Sequence, residues 1–296
     1  MAAAASQPKL LVIVGPTASG KSDLAIRVAK EFNGEIICAD SRTVYKGMDI
    51  GTAKPSNANQ RAIRHWGLDL VEPGQLYSAA QFKAYAQEKI LDIQSRNKLP
   101  VLVGGTGLYI DSVLFDFSFV ISKKLAFRQR FIYTWWSIEK LQKVIQQRDW
   151  PMPENRQNRR HLINTFQRQG RVGGKADKPR ADALIIGLLP SDEELRKRID
   201  ERAEEIFKRE VVNETLALKK KFGKRALTKN GGIVYGICLR LLDIQINEAE
   251  AIELFKIADW QYARRQRTWF RRNRYIKWFS SSEQAYKAVR KQLLNT

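Results

Sequence analysis

The chain has 296 residues, 44% of them hydrophobic, enough for one large domain or for a core with a second, smaller unit. Its formal net charge is +21 and its pI is near 10.0, a surplus that folding does not require and that points to polyanionic partners. Two distant cysteines (Cys38, Cys238) and two histidines (His65, His161) exclude a disulfide framework and a zinc site of Cys/His spacing, and no run of apolar residues is long enough to span a bilayer.

In chain order, the Ala-rich start from Met1 to Lys9 lacks the apolar run of a signal peptide. With the two reduced cysteines this gives the expectation of a soluble, cytoplasmic protein with no membrane partner, and nothing in the sequence suggests more than a monomer. Lys9 to Val14 is a short apolar run ending at Gly15, which predicts a buried strand. Gly20 to Phe32 has helical spacing. Glu35 to Ala39 predicts a second buried strand, Ser78 to Ser95 an amphipathic helix, and Leu99 to Val103 a third strand followed by a helical run through Leu114. Strands alternating with helices imply a parallel sheet covered on both faces. From about Asp116 the long apolar strands give way to short basic helices, with loops at Pro151 to Pro153 and Gly170 to Pro179. Ala183 to Leu189 then returns as a buried strand. The expected organisation is an α/β core over 9–115 and 182–296, a parallel sheet of the P-loop NTPase-like kind flanked by helices, interrupted by a small basic helical insertion over 116–181. Ser191 to Lys221 predicts one long charged helix, with Ser191 and Glu194 as a capping box. Asn247 to about Arg272 predicts another helix, and Tyr275 to Phe279 a late strand.

The charge follows the same division. Residues 1–122 carry a net +2, residues 123–180 a net +11 and residues 181–296 a net +8. The basic surface therefore belongs to the middle and the end of the chain.

Gly15-Pro16-Thr17-Ala18-Ser19-Gly20-Lys21-Ser22 matches G-x-x-x-x-G-K-[ST] between a predicted strand and a predicted helix. Glycines let the backbone approach a phosphate, and successive N–H groups point inward at a helix N-terminus. Lys21 supplies positive charge, and the Ser22 hydroxyl can ligate Mg²⁺. The motif is that of nucleotide and ATP binding, but does not say which phosphate compound enters. Asp40 follows the second strand and Thr106 the third, at the carboxyl edge where open α/β sheets bind ligands. From its position alone Asp40 can be a Mg²⁺ ligand, a helix N-cap or a general base. No acid follows the Leu99 to Val103 strand, which argues against an ATP hydrolase. Arg264 to Arg274 is the densest basic stretch, interleaved with Trp269 and Phe270. Such a stretch can neutralise phosphates and stack on bases, or it can be a helix with a buried aromatic face and a solvated basic one.

Taken together these segments resemble the tRNA dimethylallyltransferase (tRNA isopentenyltransferase) family. Gly15 to Ser22 is similar to its phosphate loop, Asp40 to Pro55 to its second signature, Gly104-Gly105-Thr106-Gly107-Leu108-Tyr109 to its third, and Arg264 to Arg271 to its late signature. The resemblance spans 10–115 and 181–280 and is loose in between. It implies Mg²⁺-dependent transfer of a dimethylallyl group from dimethylallyl diphosphate to N6 of the adenosine 3′-adjacent to the anticodon, tRNA position 37, in tRNAs reading codons that start with U. It further implies that Asp40 is the base, that Thr106 helps hold the acceptor amine, and that Gly15 to Ser22, Lys21 included, grip the diphosphate instead of ATP. Contacts to the tRNA anticodon stem-loop are implied for Asp40, Ser41, Arg42, Thr43, Thr106, Arg128, Arg160, His161, Asn164, Tyr235, Arg264, Arg265, Gln266, Trp269 and Arg271.

The chain departs from the family pattern in that RNA-reading set. Thr43 stands where Gln is usual, Trp66 for the second His of a pair, Asn164 for Arg, and Val234-Tyr235-Gly236 for Gly-Tyr-Arg. Asp259-Trp260-Gln261 stands where Thr-Arg-Gln is usual. An isopentenyltransferase acting on free AMP, ADP or ATP is the nearest rival, but a free nucleotide needs no such basic surface. A small-molecule kinase and an RNA-binding homologue that has lost catalysis are more distant ones.

Overall fold

The computed structural model describes residues 9–120, 132–230 and 232–294. Its centre is set by strands that are apolar on both faces, as a parallel sheet sandwiched between helices requires. All residues of β1 (Leu10–Val14) and β2 (Gly34–Cys38) are buried, as are five of the six in both β4 (Leu99–Gly104) and β5 (Ala183–Leu188). With the short β3 (His65–Trp66) and β6 (Lys277–Phe279) they form a sheet of order β3-β2-β4-β1-β5-β6, every neighbour parallel. The chain leaves β1 over β4 to build one half of the sheet and returns beside β1 at β5 to build the other. The crevice of this reversal opens at the carboxyl ends of β1 and β4.

Helices α1 (Lys21–Glu31), α2 (Asn57–Ala62), α3 (Ala79–Ser95) and α4 (Gly107–Leu114) connect the first strands. Ser78 caps α3 in a full capping box with Gln81. Leu24, Ala25, Val28 and Ala29 of α1 pack with Leu11, Ile13, Ile36, Val101 and Ile186 into one core cluster.

By its internal contacts the chain divides into one unit of 1–114 with 178–296 and a second of 115–177. The second contains α5 (Ile138–Gln147) and α6 (Arg159–Arg168), whose Leu141, Ile145, Leu162 and Phe166 form a small core edged by Tyr133, Trp136 and Trp150.

After β5 come α7 (Asp192–Lys208), α8 (Val211–Phe222), α9 (Lys224–Asn230), α10 (Ile233–Leu242), α11 (Glu248–Phe270) and the terminal α12 (Ser282–Leu294). The single long helix expected over 191–221 is two helices. Glu210 adopts a left-handed conformation (φ 65°) between them, and Val211, Thr215 and Leu218 then turn inward. The Ser191 hydroxyl accepts the Glu194 N–H, but the Glu194 carboxylate pairs with Arg198 and does not complete a capping box.

Trp66, one of the departures, has a structural role. Its indole N–H donates to Glu35 (2.8 Å), a carboxylate only 4% exposed that also receives Arg96 and Lys98. The Arg96 guanidinium, with help from Lys98 and Trp66, holds the Glu35 carboxyl down at about 2. Stability from this group is therefore present above the unfolded carboxyl range and is lost as pH falls through that range toward 2. Glu35→Gln is expected to cost about 2 kcal/mol at neutral pH, less than for a fully buried pair because Arg96 is partly solvated. Urea denaturation of both proteins should show the difference shrinking below pH ~4.

Candidate active site

The register of the sheet brings three separate segments to one edge. Val14 is level with Gly104, and Cys38 with Val103, so the loops after β1, β2 and β4 leave the sheet side by side. The approach is close enough to forbid side chains. A Cβ on Gly104 would lie 2.1 Å from the Ala39 carbonyl oxygen, and one on Gly15 2.6 Å from that of Leu188. Gly20, at φ 86°, takes the left-handed turn into α1. The Lys21 ammonium folds back onto the Pro16 carbonyl at 3.0 Å.

Asp40 and Thr106 meet beside this loop. The Asp40 Oδ1 accepts the Arg42 backbone N–H at 2.7 Å, which fixes the carboxylate in a tight turn. The Thr106 Oγ1 accepts the Ser41 N–H at 3.0 Å, and the Thr106 N–H donates to the Ala39 carbonyl. Tyr262 of α11 faces Asp40, Arg42 and Thr106. Burial, reinforced by the Asp40 charge, pushes its phenol up to about 12 and keeps it a neutral donor at physiological pH. Burial likewise raises the Cys38 thiol to about 12, which makes it no nucleophile.

A cavity of about 760 Å³ opens over these groups, lined among others by Gly20, Lys21, Ser22, Asp40, Arg42, Thr43, Tyr262 and Arg265. Among the lining residues that sequence reasoning did not assign to the site are Arg198, Arg202, Asp259 and Tyr262. Arg198 and Arg202, one turn apart on α7, flank the phosphate loop, and Arg198 donates to the Ser19 carbonyl. Asp259 and Tyr262 reach in from α11. Burial draws the Lys21 ammonium down to about 8, partly offset by the Asp40 carboxylate. Arg202 lowers it and Asp259 raises it by smaller amounts, and the lining holds Lys21, Arg42, Arg198, Arg202 and Arg265 against Asp23, Asp40 and Asp259, a net positive charge.

Several residues expected to touch RNA make structural contacts within the fold. Gln266 is buried; its side-chain oxygen accepts the Thr17 N–H (2.8 Å) and its amide donates to the Gly105 carbonyl (3.0 Å), tying the first loop to the third. Trp269 packs on Gly107, where a Cβ would lie 2.1 Å from the indole, and donates to Asp111 at 2.7 Å. Tyr235 is fully buried and donates to Glu214 at 2.6 Å, while the same carboxylate accepts the N–H groups of Asp49, Ile50 and Gly51. Thr43 is 6% exposed, with its hydroxyl turned to the Asp40 carbonyl. In contrast Arg264 and Arg265 are exposed on α11, away from its buried Ala263, Gln266 and Phe270, and Arg271 is exposed at its C-cap. In the second unit Arg160 and His161 are exposed on α6 and Asn164 is half-buried. Arg128 lies outside the described residues.

The fold and the site define an α/β protein with a glycine-rich loop of the phosphate-binding pattern, a fixed carboxylate and a basic helix at one sheet edge. The sequence model of the IPP transferase family matches residues 43–273, and the chain belongs to that family. It is 36% identical to the tRNA dimethylallyltransferase of Halothermothrix orenii over 95% of this chain and 90% of that one. It is also 36% identical to the enzyme of the same name from Thermoanaerobacter sp. (strain X514), over 97% and 96%. Among solved structures it is similar to the tRNA isopentenylpyrophosphate transferase of Staphylococcus epidermidis (TM-score 0.72, 30% identity, 98% and 99% covered). A eukaryotic dimethylallyltransferase acting on tRNA matches with a TM-score of 0.72 at 26% identity, over 88% of this chain and 69% of that one.

Proposed function

We propose that this chain transfers a dimethylallyl group from dimethylallyl diphosphate to N6 of the adenosine 3′-adjacent to the anticodon of tRNA. The observation that carries this reading is the placement of Asp40 and Tyr262 with Lys21 of the glycine-rich loop in one cavity, with Thr106 hydrogen-bonded beside them.

The chemistry follows from those groups. The adenine N6 is a weak nucleophile because its lone pair is delocalised into the ring. As N6 bonds to the allylic carbon, the carbon–oxygen bond to the diphosphate breaks and the nitrogen gains a positive charge. Asp40 takes the proton that relieves it, and the Thr106 hydroxyl orients the amine. The departing diphosphate carries the electron pair, and its growing charge is met by the backbone N–H groups of the loop, Lys21, Arg198 and Arg202. The base must leave the anticodon-loop stack to reach this depth, and the exposed arginines of α11 supply contacts to the RNA backbone.

Mg²⁺ fits the donor chemistry. Among the described residues no cluster of three or more His, Cys, Asp or Glu could hold a metal alone. Mg²⁺ is ordinarily held by substrate phosphates, waters and one or two protein oxygens, and the Ser22 hydroxyl at the loop supplies such an oxygen. There it would neutralise charge on the diphosphate.

The reading is tested by incubating the protein with Mg²⁺, labelled dimethylallyl diphosphate and an equimolar mixture of tRNA and AMP. Label is expected in the tRNA fraction. Label in AMP alone would replace this reading by that of a free-nucleotide prenyltransferase.

A further inference from the structure

Asp259 sits where the family pattern has Thr, and its surroundings are not those of a surface acid. It is 4% exposed, it lines the cavity over the phosphate loop, and its carboxylate is ion-paired with Arg202. Arg202 lies on α7 and Asp259 on α11, so the pair also joins the two helices that wall the phosphate side of the cavity. Both charges are felt at Lys21, the guanidinium opposing and the carboxylate favouring its protonated form.

A guanidinium has five N–H donors in a planar fork. A carboxylate that occupies one edge leaves the remaining donors directed elsewhere and removes most of the rotational freedom of a long side chain, which a free arginine loses only when its ligand arrives. We infer that Asp259 is a positioning residue for the leaving group: it holds the Arg202 guanidinium at the mouth of the phosphate loop, preorganised to receive a diphosphate. The inference rests on the diphosphate reading of the pocket. It carries an opposite, since a carboxylate in the pocket could instead compete with the diphosphate for Arg202.

The two differ in sign. Inorganic pyrophosphate, with Mg²⁺ in excess, is titrated calorimetrically into the full chain and its variants. Asp259→Ala is expected to weaken binding about tenfold, and the nearly isosteric Asp259→Asn less, since the amide oxygen retains one acceptor. In an Arg202→Ala background the substitution at Asp259 is expected to have no further effect, a coupling that a general loss of packing would not produce. With dimethylallyl diphosphate as the varied substrate, KM is expected to rise in Asp259→Asn and kcat to change little. Tighter or unchanged pyrophosphate binding in Asp259→Asn, or equal losses with and without Arg202, would overturn the positioning role. Should Asp259→Ala not fold, Asp259→Asn alone decides the sign. If the unaltered protein does not bind pyrophosphate, it is the diphosphate reading of the pocket that fails.

Discussion

Asp40→Asn is expected to slow dimethylallyl transfer about a thousandfold, within the range general-base removal usually costs, while tRNA affinity stays within a few-fold. The substitution is chosen for what it preserves. The Asp40 Oδ1 accepts the Arg42 N–H at 2.7 Å, and an asparagine oxygen can accept the same bond. The turn that presents Ser41, Arg42 and Thr43 is therefore kept, and only the basicity of the side chain is removed. Single-turnover transfer and equilibrium tRNA binding, measured on the same preparation, separate the two effects. Transfer near the unaltered rate would remove Asp40 from the role of base and leave it a turn-forming residue.

Lys21→Met is expected to lower kcat/KM for dimethylallyl diphosphate by about a hundredfold or more, the scale on which a single charge-stabilising donor acts. The pH dependence gives a sharper signature. The Lys21 ammonium is held down at about 8 by burial, so in the free enzyme it is charged below that pH and neutral above it. Diphosphate binding favours the charged form. The kcat/KM profile should therefore fall about tenfold per pH unit above ~8, since this parameter reports the free enzyme. kcat should hold to higher pH, because a bound diphosphate raises the pKa again. In Lys21→Met the limb near pH 8 should vanish. An unchanged limb in that variant would assign it to another group.

How much of this was legible in the sequence depended on distance along the chain. Gly15 to Ser22 announces its own loop, because glycine spacing, Lys21 and Ser22 lie within eight residues between a strand and a helix. Asp40 and Thr106 were placeable because each follows an apolar strand, and parallel strands deliver their ends to one edge. Arg198, Arg202, Asp259 and Tyr262 were not. They lie on charged helices where an arginine that faces a cavity has the same local pattern as one that faces water. Only the packing of α7 and α11 beside the loop distinguishes them. The same ambiguity ran the other way for Gln266 and Trp269. Both sit in the most basic stretch of the chain, yet helical periodicity turns them inward, and each braces a glycine-lined loop. The break at Glu210 carried no glycine or proline to signal it, and β3, two residues long, is too short to leave a periodic trace.

The departures sort by the same logic. Trp66 completes the Glu35 network, and Trp260 packs against Leu195 and Ile199 under Arg196. Gly236 leaves open space where the family pattern has an arginine. Asp259 alone places a new charge inside the cavity.

The central claim is that the phosphate loop presents a prenyl diphosphate to an adenine amine of RNA. Its most direct test is nucleoside analysis of an anticodon stem-loop after reaction with the protein, Mg²⁺ and dimethylallyl diphosphate. One stem-loop carries adenosine 3′ to the anticodon; a second carries purine riboside there, which lacks the exocyclic amine. The account predicts N6-(dimethylallyl)adenosine and stoichiometric pyrophosphate from the first and neither from the second. Prenylated product from the purine stem-loop, or none from the adenosine one, would contradict it.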